Sequence, residues 1–210
     1  MNIRKKEIYK WFLPIISLSV FIGIMLLVKL NNSVVLNIDS AVTQWMIYIQ
    51  QANVATFLHT IAHVFSPILV IIYMCILLLP FLKRRIVMPF MEVMVGYISM
   101  EIIKVSVART RPADKLVNVL GYSFPSAHTF EIILVLLVSL GIIKRILRNT
   151  KTLYFIQIFL FSITFLVLFS RLYLRVHFFS DVAAGVFLAY GWHGIWQNIA
   201  NKLIKNLHNC

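Results

Sequence analysis

The stretch Leu153-YFIQIFLFSITFLVLF-Ser170 runs without a break into Arg171-LYLRV-His177-FFS-Asp181. From Leu153 to Ser170 there is no charged side chain, and an apolar run approaching ~20 residues is what an α-helix needs to cross the hydrocarbon of a bilayer. Immediately after it come a guanidinium, an imidazole and a carboxylate. Lipid offers no hydrogen bonds to an open backbone, so a chain built from such runs crosses as helices. Ionisable groups at a membrane boundary are costly and call for a functional reason.

The rest of the chain repeats this texture. Its 210 residues are 60% hydrophobic, against roughly 45–50% in soluble domains, and the mean hydropathy is +0.88. Apolar runs predict six spans: Trp11–Val28, Ser66–Leu82, Ile86–Lys104, Thr129–Ile143, Leu153–Ser170 and Phe178–Ile199. Between the first two, Asp39–Phe65 mixes Trp45, Ile49, Phe57 and Leu58 with Gln44, Gln50, Gln51 and Asn53, a pattern suited to an interfacial or protein-covered helix. The expected fold is all-α: one domain over residues 1–210, an integral membrane bundle of six transmembrane helices with an extra interfacial helical segment. Arg4-Lys5-Lys6 before the first run resembles a secretory leader, but Lys29-Leu30-Asn31-Asn32 is a poor cleavage site, so an uncleaved span is expected.

The net charge is +13. It is dispersed in short patches between apolar runs and forms no stripe or recognition motif, which argues against a nucleic-acid partner. Two cysteines, Cys75 within a run and Cys210 at the end, imply neither a disulfide framework nor a metal site. Basic residues orient the spans. Thirteen (Arg4, Lys5, Lys6, Lys10, Lys83, Arg84, Arg85, Lys144, Arg145, Arg148, Lys151, Lys202 and Lys205) fall on one side and seven (Lys29, Lys104, Arg109, Arg111, Lys115, Arg171 and Arg175) on the other. Both termini are therefore expected in the cytoplasm. The charged motifs are then expected to face the extracytoplasmic side of a cell membrane.

Three short motifs carry the chemistry: Lys104 seven residues before Arg111-Pro112; Pro125-Ser126-Ala127-His128; and Ser170-Arg171, His177, Asp181. Lys104, Arg111 and Arg171 are candidates to neutralise phosphate oxygens, the arginines as planar forks and the lysine as a point charge. His177 and Asp181 are four apart, one helical turn, so the carboxylate is placed to hold the Nδ1 proton and free Nε2 as a nucleophile. Ser126 suits a helix N-cap whose neighbouring N–H groups attract phosphate, and His128 suits proton transfer. Each motif alone is also compatible with interfacial residues anchoring helix ends; that is the reading for Arg109, Lys115 and Arg175. Glu101 is expected to pair with Lys104 and Glu131 is placed three residues after His128. Glu92, in mid-span, needs a partner or a proton. His59, His63, His193 and His208 fit no motif.

In combination the three motifs resemble the signature of the type 2 phosphatidic acid phosphatase superfamily, with Ala127 in place of the usual glycine. The resemblance implies a metal-free, cofactor-free reaction through a phosphohistidine at His177, with His128 as acid and base, Asp181 orienting the nucleophile, and Lys104, Arg111, Ser126 and Arg171 binding phosphate. It implies a lipid phosphate or diphosphate delivered by the bilayer, undecaprenyl diphosphate first. Phosphatidylglycerophosphate or phosphatidic acid hydrolysis and lipid phosphotransfer are the enzymatic alternatives. A lipid-binding or transport protein with a disused site is the non-enzymatic one. The orientation has a direct check: reporter fusions after Arg148 and Lys205 should read cytoplasmic and one after Lys115 external, and the reverse pattern would place the motifs inside the cell.

Overall fold

The computed structural model of the protein describes residues 3–78, 87–147 and 149–208. Among them are eight α-helices and no strand: α1 Ile3–Lys29, α2 Ser33–Tyr48, α3 Ala52–Val64, α4 Pro67–Leu78, α5 Val87–Val107, α6 Ala127–Ile146, α7 Thr150–Tyr173 and α8 Phe179–His208. Three are long and apolar enough to cross a membrane, over Lys10–Lys29, Ala127–Lys144 and Thr150–Tyr173. A fourth is added if α3 and α4, bent by 50° at their junction, form one broken span. At 21 and 30 residues, α5 and α8 have the length of a span, with polar side chains turned into the bundle. There Glu92 of α5 meets His193 Nδ1 at 2.6 Å and accepts from Gln197 Nε2 at 3.0 Å. The pairing supplies what a mid-span carboxylate requires, and His193, which fits no motif, is its main partner.

The segment expected as one interfacial helix over Asp39–Phe65 is instead two. Helix α2 starts earlier, where Asn32 Oδ1 caps the backbone N–H of Val34 at 3.0 Å. The chain then breaks at Ile49–Gln51, because the Tyr173 hydroxyl of α7 accepts from Gln51 N at 2.7 Å and donates to Ile49 O at 3.2 Å. A side chain more than a hundred positions away satisfies backbone groups that the helix would otherwise have paired, so local sequence carried no sign of the break. Of the second expected span, residues 79–82 lie outside the described residues, as does Ile86 at the start of the third.

Helix α6 is the most enclosed of the three apolar spans. Its Phe130, Ile132, Ile133 and Leu134 are buried, and it packs on α4, α5, α7 and α8. The broadest helix pair is α1 on α8. Contact is close because Gly191 and Gly194 of α8 lie one turn apart against Leu18 and Pro14 of α1: a Cβ at Gly191 would stand 2.6 Å from Leu18, and one at Gly194 would collide with the Pro14 ring. Small residues are the usual means by which helices approach in lipid, where no hydrophobic force drives them together. Overpacking this contact with Gly191→Leu is expected to cost at least the ~1–3 kcal/mol of a crowded core, read as a lower melting midpoint in detergent. An unchanged midpoint would mean that α1 is not seated on α8 as described.

Candidate active site

Two helix ends deliver the charged residues by the same device. Helix α5 ends at Val107 and Ala108 turns out of it at φ 52°; α7 ends at Tyr173 and Arg175 turns at φ 52°. The left-handed region costs a non-glycine residue roughly 1–2 kcal/mol. It reverses the chain at once, so that Lys104 in the last turn of α5 faces Arg111 beyond it, and Arg171 in the last turn of α7 lies under His177. The carbonyl of Arg171 accepts the backbone N–H groups of Val176 at 3.2 Å and His177 at 3.4 Å.

His177 is buried, and its Nε2 lies 3.2 Å from Arg111 Nη1. Because that guanidinium can only donate, Nε2 presents its lone pair and the ring proton belongs on Nδ1, which lies 3.5 Å from Asp181 Oδ2 and makes no hydrogen bond among the described residues. Arg111 is itself pinned: Nη1 donates to Val176 O at 2.8 Å and Nε to Gly121 O at 3.1 Å. Burial, followed by the charges of Arg171, Arg111 and Lys104, holds the His177 imidazole well below its ordinary value near 6.5. At neutral pH the ring is therefore uncharged, and Nε2 keeps its lone pair.

The other site residues close around this ring. Lys104 is buried and its Nζ lies 3.1 Å from Glu101 Oε1, the pairing expected of Glu101. Arg171 is only 3% exposed and its Nε has no hydrogen-bond partner among the described residues; a buried guanidinium N–H without an acceptor is expensive unless an anion comes to it. Ser126 occupies the N-cap position of α6, but its hydroxyl makes no cap bond and instead accepts from Thr129 Oγ1 at 3.1 Å. The backbone N–H of Ser126 donates to Asp181 O at 3.1 Å, tying the start of α6 to α8. His128, in the first turn of α6, sits within electrostatic reach of Arg171, His177 and Lys104. All seven predicted residues thus gather at one end of the bundle. Glu131 is buried with both carboxyl oxygens unpartnered among the described residues and makes no hydrogen bond to His128.

One member was not foreseen. Arg109, expected to anchor among headgroups, points inward, with Nη1 2.6 Å from Asp181 Oδ1 and Nη2 2.7 Å from Asp39 Oδ2. Its Cζ lies 4.1 Å from the centre of the Phe178 ring. Asp39 also accepts from Ser180 N at 2.8 Å and Ser180 Oγ at 2.7 Å. The only hint in sequence was position: Arg109 sits two residues before Arg111, inside the first motif. Arg175, assigned the same anchoring role, donates its Nε to Asp114 O at 2.9 Å.

The environment of His177 has a measurable sign. Its folded value lies below the unfolded one, so acid protonates the unfolded chain first and stability rises with pH through that window. Melting midpoints in detergent should fall as pH drops from about 7 toward 5, around the ordinary imidazole value, and His177→Gln should flatten part of that fall. An equally steep fall in the variant would show that His177 is not held neutral.

The chain matches known proteins in family and in fold. The family model of the PAP2 superfamily matches residues 86–205, which hold every motif residue. A search of curated proteins finds no match. Among solved structures, a transmembrane PAP2-type phosphatidylglycerolphosphate phosphatase from Bacillus subtilis aligns with a TM-score of 0.77 at 21% identity, covering 90% of this chain and 96% of that one. LpxE from Aquifex aeolicus aligns at 0.60 and 20% identity, over 74% of this chain and 92% of that one. With the family model covering more than half its length and the motif residues meeting at one end of an all-helical membrane bundle, the chain belongs to the PAP2 superfamily.

Proposed function

We propose that this protein is a lipid phosphatase that hydrolyses a lipid phosphate or diphosphate, undecaprenyl diphosphate first, through a phosphohistidine at His177 and without a metal. The observation that carries the reading is the buried His177 ring, with its Nε2 lone pair turned to Arg111 and its Nδ1 to Asp181. Nε2 attacks phosphorus, the bond to the leaving oxygen breaks, and His128 gives that oxygen a proton. His128 then takes a proton from water, the new hydroxide attacks, and the P–N bond breaks to release phosphate. Lys104, Arg111 and Arg171, with the first N–H groups of α6 beside Ser126, supply the positive field for the equatorial oxygens, the main demand of phosphoryl transfer.

The placement is part of the proposal. Six spans, with both termini cytoplasmic, put these residues at the extracytoplasmic face of a bacterial plasma membrane. The thirteen-to-seven division of basic residues supports this, as does the length of α5 and α8. A lipid carrier diphosphate exposed on that face meets the site directly. A second reading has its own support: the structural neighbour from Bacillus subtilis is described as a phosphatidylglycerolphosphate phosphatase, which favours a phosphomonoester. If an acceptor lipid hydroxyl replaces water, the same residues perform transfer.

One experiment separates roles and substrates. His177→Ala should abolish turnover and any trapped phosphoenzyme, since no neighbouring group replaces the attacking nitrogen. His128→Ala should slow turnover by ~10²–10⁴-fold, the usual size of a lost general acid–base. The loss should be greater for a monoester, whose leaving alkoxide needs the proton, than for a diphosphate, whose leaving group is a weakly basic monophosphate. Equal losses on the two substrate types would mean that His128 binds phosphate and donates no proton. Persistent phosphoenzyme in His177→Ala would remove the nucleophile assignment.

A further inference from the structure

Neither Arg109 nor Asp39 is among the fixed residues of the three motifs, yet they form a closely bonded polar group with Asp181 and Ser180. Arg109 is shared between Asp181 Oδ1 at 2.6 Å and Asp39 Oδ2 at 2.7 Å, and its Nη1 also donates to Ser180 Oγ at 2.7 Å. The two carboxylates are 2% and 0% exposed, and the arginine side chain 12%. Ions removed from water to this degree cost several kcal/mol each unless well paired, so a headgroup anchor would not be buried in this way.

Asp181 is held on three sides: Oδ1 by Arg109, Oδ2 by the backbone N–H of Phe178 at 2.9 Å, and its carbonyl by Ser126 N at 3.1 Å. That fixes Oδ2 toward Nδ1 of His177. Asp39, reaching over from α2, does two things. Its Oδ1 accepts the Ser180 N–H in the first turn of α8, satisfying a donor the helix cannot satisfy itself. Its Oδ2 takes the second face of Arg109. If Asp181 were the only anion beside Arg109, its charge would be cancelled at close range. With Asp39 added, two carboxylates and one guanidinium leave the group one net negative charge beside the ring.

We infer that Asp39 and Arg109 are positioning residues for the nucleophile, acting through Asp181 on His177; this rests on the phosphohistidine reading above. The Asp39–Arg109–Asp181 chain holds the carboxylate rigid and keeps the net charge that a positive phosphoimidazole requires. It also makes α2, a helix carrying no motif, part of the catalytic apparatus. The phosphate clamp of Lys104, Arg111 and Arg171 makes no bond to Asp39 or Arg109, so anion binding and nucleophile activation are separable.

The test uses the full chain in detergent, with turnover read on whichever lipid phosphate or diphosphate the wild type hydrolyses fastest, so that a wrong substrate assignment leaves it intact. Asp39→Asn, which keeps shape and removes charge, should lower kcat by about 10–100-fold, the size seen when a partner that orients a catalytic group is lost. Its inhibition constant for inorganic phosphate, which the clamp binds with no bond to His177, should stay within about twofold of wild type. In an Asp181→Asn background the same substitution should cost about twofold or less, because it acts through Asp181. Arg109→Lys, which keeps a cation but cannot bridge both carboxylates, should repeat the pattern and serves if Asp39→Asn melts below the assay temperature. Equal losses with and without Asp181, no loss of kcat, or phosphate inhibition weakened as much as kcat would each overturn the inference. Absence of a phosphoenzyme in the wild type would instead count against the phosphohistidine, a separate result.

Discussion

A buried arginine between two buried aspartates holds the functional end of this bundle together. Arg109 joins α2, through Asp39, to α8, through Asp181, from the loop that leaves α5. Removing one partner from such a pair strands a charge in a low-dielectric setting, at about 3–5 kcal/mol, so each of the three segments depends on the others. The start of α6 is drawn into the same assembly by the hydrogen bond from Ser126 N to Asp181 O. Gly185 permits that approach: a Cβ there would stand 3.0 Å from both Ser126 O and Thr129 Cβ.

Around this group the bundle resolves a conflict between burial and charge. A phosphate site must collect cations, and a membrane domain must keep charges out of lipid. Lys104, Arg111 and Arg171 satisfy both by lying at helix ends, close together, with Glu101, Asp181 and backbone carbonyls as counterparts. Burial holds His177 neutral, and the concentration of positive charge from Arg171, Arg111 and Lys104 adds to that effect. Under the proposed function, the cations that would hold a phosphate also favour the uncharged imidazole that would attack it.

At the other end of α5 and α8 a second polar group serves packing. Glu92 accepts from Gln197, lies against His193, and its carbonyl accepts Trp192 Nε1 at 2.9 Å. Together with Gly96, where a Cβ would come within 2.8 Å of Trp192 Nε1, it fixes the rotation of α5 against α8. That rotation turns Lys104, twelve residues further along α5, toward the site.

Periodic apolar runs and motif spacing determined a great deal on their own. Helical class, the apolar helices α1, α6 and α7, and the seven motif residues were legible because each signal is local: a run long enough for a bilayer, or side chains one turn apart. The one-turn spacing of His177 and Asp181 states their relation before any fold is known. What the sequence could not state were relations between distant segments. Asp39 and Arg109 are 70 positions apart and each alone looks like an interfacial charge. The break between α2 and α3 depends on Tyr173, over a hundred positions away. Helix and motif signals come from neighbours along the chain, whereas the burial of a charge and the satisfaction of a backbone group depend on what packs against them, and only the tertiary structure decides that.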